Sequence, residues 1–399
     1  MNKSVDVLIV GGGLVGASLM RALTEAGFDA LLVEAKPLLG DAGDTFDARS
    51  LALSPASVHI LQMLGVWSSL TAFAGPINTV HVSEKKGFGS ARLQAEQDTP
   101  LGFIVELQQI SRALIDLLPP DKIIAPAELI TLDKQQGTAC VRTPDGEIAI
   151  KAQLIVAADG AHSSVRKLCG LVAETKWYNQ HALVANIGLA RSHQNIAYER
   201  FTKTGPMAIL PMTGQRASLV WALPPEEVER LMGLSEADFL KKLQESFGYR
   251  LGRFMQVGRR ASFPLQQMLM RTQVDSHVVF IGNAAHALHP VAGQGFNLGL
   301  RDVAMLTQCL VEDGISTDVL SRYQQSRQHD QRSISYFTDS LVGLFTSRIP
   351  GIATARRCGL VAFDNTPFLK RLLSRYARGF SGVTPDLVCG IPLSNREIS

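Results

Sequence analysis

One stretch near the start of the chain restricts its fold more than any other. Val5-Asp6-Val7-Leu8-Ile9-Val10 is a short apolar run rich in β-branched residues, the signature of a buried parallel strand. Gly11-Gly12-Gly13-Leu14-Val15-Gly16 follows at once, and Leu14 to Ala26 carries helical spacing that Gly27 closes. Ala30-Leu31-Leu32-Val33-Glu34 is the next strand. Strand, G-x-G-x-x-G turn, helix and second strand make a βαβ unit. Gly11 permits the tight turn, Gly13 lets the backbone approach a pyrophosphate, and Gly16 lets helix and strand pack closely. Leu14 and Val15 open the helix, whose free N–H groups and partial positive charge favour phosphates. Glu34 ends the second strand, where a carboxylate can accept hydrogen bonds from ribose hydroxyls and would repel a 2′-phosphate. This unit predicts a dinucleotide site, and by itself leaves FAD and NAD equally open.

A chain of 399 residues is long enough for about two domains. No window approaches the roughly 18 uninterrupted apolar residues of a membrane span, and the N-terminus carries no secretory pattern. The five cysteines (Cys140, Cys169, Cys309, Cys358 and Cys389) form no C-x-x-C pair. Each therefore reads as a buried apolar thiol in a reducing compartment, with no metal site, and a cytoplasmic location is expected. A net charge of +3 is too small to imply a nucleic-acid partner.

Two later segments separate the cofactors. The apolar strand Ala152 to Ala158 runs into Asp159-Gly160-Ala161-His162-Ser163-Ser164-Val165-Arg166. Gly160 permits a turn there, and Ser163 can cap the helix that follows. His277-Val278-Val279-Phe280-Ile281 then leads into Gly282-Asn283-Ala284-Ala285-His286-Ala287-Leu288-His289-Pro290 and Val291-Ala292-Gly293-Gln294-Gly295-Phe296-Asn297-Leu298-Gly299, ahead of a helix. In content and order these motifs resemble the three FAD fingerprints of the class A flavoprotein aromatic hydroxylases. Within that group the chain is most similar to the ubiquinone-biosynthesis hydroxylases, the 2-polyprenyl-6-methoxyphenol hydroxylases above all. Supporting segments are Glu199-Arg200-Phe201-Thr202, Gly205 to Met212 and Ser218 to Trp221. The resemblance covers essentially the whole chain. It departs from the wider group at Asn283, where most members have aspartate; asparagine keeps the hydrogen bonds and loses the charge.

The resemblance implies an α/β fold: a Rossmann-like FAD-binding domain of the p-hydroxybenzoate hydroxylase type, an antiparallel β-sheet substrate domain and C-terminal helices. The expected FAD contacts are Gly11, Gly13, Leu14, Val15, Gly16, Glu34, Arg49, Arg112, Asp159, Asn283, Pro290, Gly293, Gly295, Phe296 and Asn297. His289, in the loop expected beside the flavin, is the one candidate for moving a proton, and His286 reads as structural. The implied reaction is hydroxylation of a polyprenylated phenol, with NAD(P)H reducing FAD and O2 forming a C4a-hydroperoxyflavin. No second Gly-rich βαβ unit follows Gly160, so the nicotinamide cofactor has no Rossmann domain of its own. Two alternatives stay open: a flavin-dependent isoprenoid reductase or epoxidase, and a flavin-binding scaffold in a quinone-biosynthesis complex.

The FAD-binding domain is expected to take residues 1–74, 106–176 and 276–330. The substrate domain is expected at 75–105 and 177–275, with a helical stretch from Glu226 to Phe247 between strands, and a helical C-terminal region at 331–399. Between Ser333 and Gly382 seven basic residues face two acidic ones. Phe337, Leu341, Leu344 and Phe345 recur at helical spacing, as do Phe368, Leu369, Leu372, Leu373 and Tyr376. A basic amphipathic helix can lie on an anionic membrane, so a membrane surface and other quinone-biosynthesis proteins are candidate partners, with peripheral attachment at the inner membrane. Packing of these helices on the rest of the chain or on a second copy of it is the competing expectation.

Overall fold

The computed structural model describes residues 2–38, 49–85, 87, 89–95, 99–202, 204–288, 294–346, 352–380 and 382–393. Its first layer is an eight-stranded sheet. Along it lie, in order, Val274–Asp275, Val278–Phe280, Gly146–Ala157, Asn2–Val10, Ala30–Val33 and Ile123–Ile124, with Thr138–Thr143 and Glu128–Asp133 added through Gly146–Ala157. The inner strands pair in parallel. They are buried on both faces: Val7, Ile9, Leu32, Leu154 and Val156 pack on one side, and Leu8, Val10, Leu31, Ile155 and Phe280 on the other. That two-sided burial explains continuous apolar runs in place of alternation. The helices Leu14–Glu25 and Gln294–Asp313 pack together over the first face.

The second layer is a nine-stranded sheet. Its order is His286–Ala287, Ala261–Leu269, Glu174–Leu189, Arg216–Leu223, Pro206–Pro211, Ile196–Phe201, Thr79–Glu84 and Ser90–Gln94, with Phe254–Val257 also on Glu174–Leu189. All its pairings are antiparallel except that of Ile196–Phe201 with Thr79–Glu84. Period-2 alternation sends Leu183, Met207, Ile209, Leu219 and Trp221 to one face, where Phe239, Leu243 and Phe247 cover them. The opposite face lines a cavity. A small third sheet has the order Ser50–Leu53, Gly102–Glu106 and Gly75–Ile77.

Several expectations need correction. The helical stretch from Glu226 to Phe247 is two helices, Pro225–Met232 and Glu236–Phe247, because Gly233 ends the first and the Ser235 side chain caps the second. Gly75–Ile77 joins the small sheet, while Thr79–Glu84 and Ser90–Gln94 join the large one. The boundary placed at residue 330 falls inside a single helix, Thr317–Thr346, which packs along Gln294–Asp313. Cys169 and Cys309 are buried, but Cys140 is half-buried and Cys358 and Cys389 are exposed; those two lie on outward positions of tail helices.

Candidate active site

Strand register builds the site. Val10 lies opposite both Val33 and Ala157, and Ala157 lies opposite Phe280. All four strands therefore end at one level, and the residues that follow them meet along one crevice at the carboxyl edge of the sheet, where ligands of open α/β sheets bind. Gly11, Glu34, Asp159 and Asn283 are those residues. Four segments far apart in sequence converge there because parallel pairing aligns their ends.

The first turn is tightly determined. Gly11 has φ of 111°, and a Cβ on it would lie 2.5 Å from the Ala158 carbonyl oxygen. A Cβ on Gly16 would lie 1.9 Å from the Gly11 carbonyl oxygen, so helix and turn touch backbone to backbone. At Gly13 a Cβ would meet nothing within 4 Å. Gly13 is thus open on the side where its helix begins. Val15 is locked from behind, since Cβ atoms on Gly282 and Gly299 would approach its methyl groups to 3.1 and 2.7 Å. Glu34 accepts hydrogen bonds from the Gly12 amide (2.7 Å) and the Lys36 amide (2.9 Å), which orient its carboxylate and leave lone pairs for a diol.

Asp159 has two different oxygens. Oδ2 accepts from the Ser164 amide (2.7 Å), the Ser164 hydroxyl (2.8 Å) and the Val165 amide (3.1 Å), capping the helix Ser164–Leu168. Ser163 caps the same helix through its hydroxyl, which accepts from the Arg166 amide at 3.0 Å. Oδ1 is buried with no partner among the described residues. An unpaired buried acceptor beside Gly11 is costly unless a ligand donates to it. Arg166 donates to the Ala284 and Ala161 carbonyls (2.8 and 2.6 Å), tying this turn to the Gly282 loop.

Asn283 is exposed, in the short turn Gly282–Ala284 that follows the strand Val278–Phe280. Gly295 and Phe296 are half-buried in the first turn of Gln294–Asp313. Asn297 is buried and engaged with protein. Its Oδ1 accepts from the Ser54 amide (2.8 Å) and the Ser57 hydroxyl (2.6 Å), and its Nδ2 donates to the Ala52 carbonyl (2.8 Å). It therefore pins the segment Arg49–Ser54 to the helix that carries Gly295. Arg49 is exposed, its guanidinium 5.3 Å from the centre of the Phe263 ring. Arg112 is exposed near the end of the helix Leu107–Ile115. His289, Pro290 and Gly293 lie outside the described residues.

A charged network beneath the Gly282 loop was missed by the sequence reading. Asp302 Oδ2 accepts from the Gly282 amide (3.0 Å) and His286 Nε2 (2.5 Å), and Oδ1 from Arg327 (2.8 Å) and Gln331 (3.1 Å). Arg327 also pairs with Asp330 (2.6 Å), which Arg301 reaches from the other side. All of these groups are buried. Burial alone would raise the Asp302 pKa, yet His286 and Arg327 hold it well below the usual carboxylate range. The signal was present: Leu298, Asp302 and Leu306 occupy one stripe of the helix at four-residue spacing, and a carboxylate there must be paired. His286, read from the sequence as structural, is buried against Asp302.

Beside the crevice lies a cavity of about 1140 Å³. Arg49 to Ser54 and Asn297 line one side, the free face of the nine-stranded sheet another, and the tail helices Ile352–Asp364 and Pro367–Ala377 a third, through Leu360, Phe363, Leu369 and Leu373. It exceeds the roughly 300–1,000 Å³ of an ordinary small-molecule pocket and is overwhelmingly apolar.

The chain matches the family model described as an FAD binding domain over residues 4–335. It is 36% identical to ubiquinone hydroxylase UbiL of Rhodospirillum rubrum, across 98% of this chain and 94% of that protein. It is 32% identical to the 3-demethoxyubiquinol 3-hydroxylase of Escherichia coli, across 95% and 99% respectively. Among solved structures, p-nitrophenol 4-monooxygenase PnpA of Pseudomonas putida DLL-E4 shares the fold with a TM-score of 0.78 at 19% identity, across 94% of this chain and 99% of that one. Klebsiella pneumoniae HpxO, solved with FAD and uric acid, does so with a TM-score of 0.73 at 16% identity and 98% coverage of both. The open face of Gly13, the unpaired Asp159 oxygen and the oriented Glu34 carboxylate all fit the ADP half of FAD. The chain belongs to the FAD-binding monooxygenases related to the ubiquinone hydroxylases, with the fold of the class A flavoprotein hydroxylases.

Proposed function

We propose that this chain hydroxylates the aromatic ring of a polyprenylated phenol in ubiquinone biosynthesis, consuming NAD(P)H and O2. The observation that carries this reading is the cavity of about 1140 Å³ beside the cofactor crevice, whose walls are overwhelmingly apolar. A prenyl chain needs extended apolar walls, and a phenol ring must reach the flavin. The named activities of the two relatives, a ubiquinone hydroxylase and a 3-demethoxyubiquinol 3-hydroxylase, support the same substrate class.

When bound, FAD supplies electron transfer from NAD(P)H to O2 and delivery of oxygen to the ring. Gly11, Gly13, Gly16 and the helix start would hold its pyrophosphate, Glu34 its ribose, and Asp159 Oδ1 a donor nearby. The apolar walls exclude water and restrict the ring's orientation, which raises productive encounter and limits side reactions.

The helix Pro367–Ala377 lines the cavity through Leu369 and Leu373. Phe368 and Leu372, 72% and 59% exposed, stand with exposed Arg371 and Arg375 on its outer side. That face suits an anionic bilayer from which a lipid-soluble phenol could enter. No helix among the described residues is long and apolar enough to cross a membrane.

The decisive experiment adds prenylated phenols to the purified yellow protein and follows NAD(P)H oxidation, O2 uptake and product mass. Oxidation and O2 uptake that depend on the phenol, with a mass gain of one oxygen, are expected. Turnover without O2 would instead indicate a reductase, an oxygenated prenyl chain an epoxidase, and FAD binding with no turnover a scaffold.

A further inference from the structure

One row of side chains crosses the cavity face of the nine-stranded sheet. Pairing sets Val82 opposite Glu199, Glu199 opposite Ala208, Ala208 opposite Val220, Val220 opposite Val184, and Val184 opposite Ala261. All six line the cavity. Five are apolar and the sixth is a carboxylic acid. The Glu199 side chain has no hydrogen bond or ion pair with any described residue, whereas most charged groups on the same walls are engaged. Arg356 pairs with Glu84, Arg49 stacks on Phe263, and Arg378 stacks on Phe380.

An unpaired carboxylate in an apolar wall is unfavourable, and no contact with a described residue offsets it. From this placement, and resting on the reading of the cavity as a phenol site, we infer that Glu199 is the catalytic residue that binds the substrate's ring hydroxyl and accepts its proton. The phenol O–H bond breaks, the proton passes to a Glu199 carboxylate oxygen, and the electron pair stays on the phenolate oxygen. That pair raises electron density at the ring's ortho and para carbons, the positions an electrophilic oxygen attacks. When oxygen has been transferred, the proton returns to the product's oxygen or to solvent.

Titration suits the task. Burial pushes the Glu199 carboxyl up to about 7, and burial is the only cause. The other ionisable groups on the walls are Arg49, Tyr198, Arg259, Arg356 and Arg378, with Glu84 behind Arg356; none of them contributes to the shift. A base of this strength is half ionised near neutral pH, where general-base catalysis is most effective.

The test uses the full-length FAD-loaded protein, a 2-prenylated phenol and its O-methyl ether. Wild type should bind the phenol more tightly than the ether, with turnover rising with pH through about 7. Glu199→Gln, similar in size and neutral, should keep its FAD spectrum and prenyl binding. It should lose about 100-fold or more in kcat, flatten the pH profile and lose much of the preference for phenol over ether. Glu199→Asp should recover part of the rate. If Glu199→Gln keeps the wild-type rate and pH profile, the assignment is overturned while the hydroxylase reading stands. If wild type binds phenol and ether equally, the assignment falls even should the variants fail to fold. If no prenylated phenol stimulates wild type at all, the hydroxylase reading fails and the assignment with it.

Discussion

At the residue scale, the glycines of the first turn do separable work. Gly13 has an ordinary extended conformation and open space beside it, whereas Gly16 touches the Gly11 carbonyl. Gly13→Ala should change the stability of the FAD-free protein by less than about 1 kcal/mol while sharply weakening flavin retention. Gly16→Ala should cost about 3 kcal/mol or more through backbone overpacking. Urea unfolding and the flavin absorbance of the purified variants check both; a Gly13→Ala protein that holds FAD like wild type would sink the assignment. Asp302 is a second residue with a measurable consequence. Asp302→Asn removes one of the two carboxylates that pair with the buried Arg327, and a loss of about 3 kcal/mol is expected in denaturant unfolding. Because the folded-state pKa of Asp302 is depressed, its stabilisation is fully present above about pH 4 and is lost only as pH falls further. Glu199 has the opposite sign. Its raised pKa means that folding disfavours its charged form, so wild type should lose stability relative to Glu199→Gln as pH rises from about 5 to 8. Melting curves across that range test it; a constant gap would show that the carboxylate is not desolvated.

At the element scale, the tail resolves into parts with different tasks. Helix Ile352–Asp364 packs on strand Ser90–Gln94, and Arg356 and Arg357 both engage Glu84. Lys370 pairs with Asp364. The basic residues counted in the sequence are therefore partly spent inside the fold, and Arg371 and Arg375 remain outward. Reversing both (Arg371→Glu with Arg375→Glu) should cut flotation with anionic liposomes several-fold and leave FAD content unchanged, with stability shifting by no more than about 0.5 kcal/mol. Undiminished flotation would move the membrane contact elsewhere. The major elements were legible because their signals are local: buried β-branched runs, helical spacing, closing glycines. The small sheet was not. Strands of three to five residues carry too little pattern, and Gly75–Ile77 chooses its partner through contacts with Gly102–Glu106 and close backbone approach to Pro211 and Met212.

At the scale of the whole molecule, the two large sheets divide the labour: one aligns strand ends for the cofactor, and the other walls the cavity. Ala208 stands in the middle of that wall. Ala208→Phe should narrow the cavity while leaving the flavin spectrum intact. We expect kcat/KM to fall about tenfold or more for long-chain phenols and much less for short ones. Equal losses at every chain length would mean that the prenyl group runs elsewhere.

The sequence alone determined the βαβ unit, the three cofactor motifs and the sheet-rich second half, because each is written in residues close together along the chain. Tertiary structure decided the rest. Strand register brought Gly11, Glu34, Asp159 and Asn283 to one edge, where one Asp159 oxygen has no partner among the described residues, while Asp302 is buried against Arg327. It also turned Glu199 inward to the cavity, a direction that follows from pairing with Val82 and Ala208. Such facts depend on distances between segments up to hundreds of residues apart, and only packing sets those.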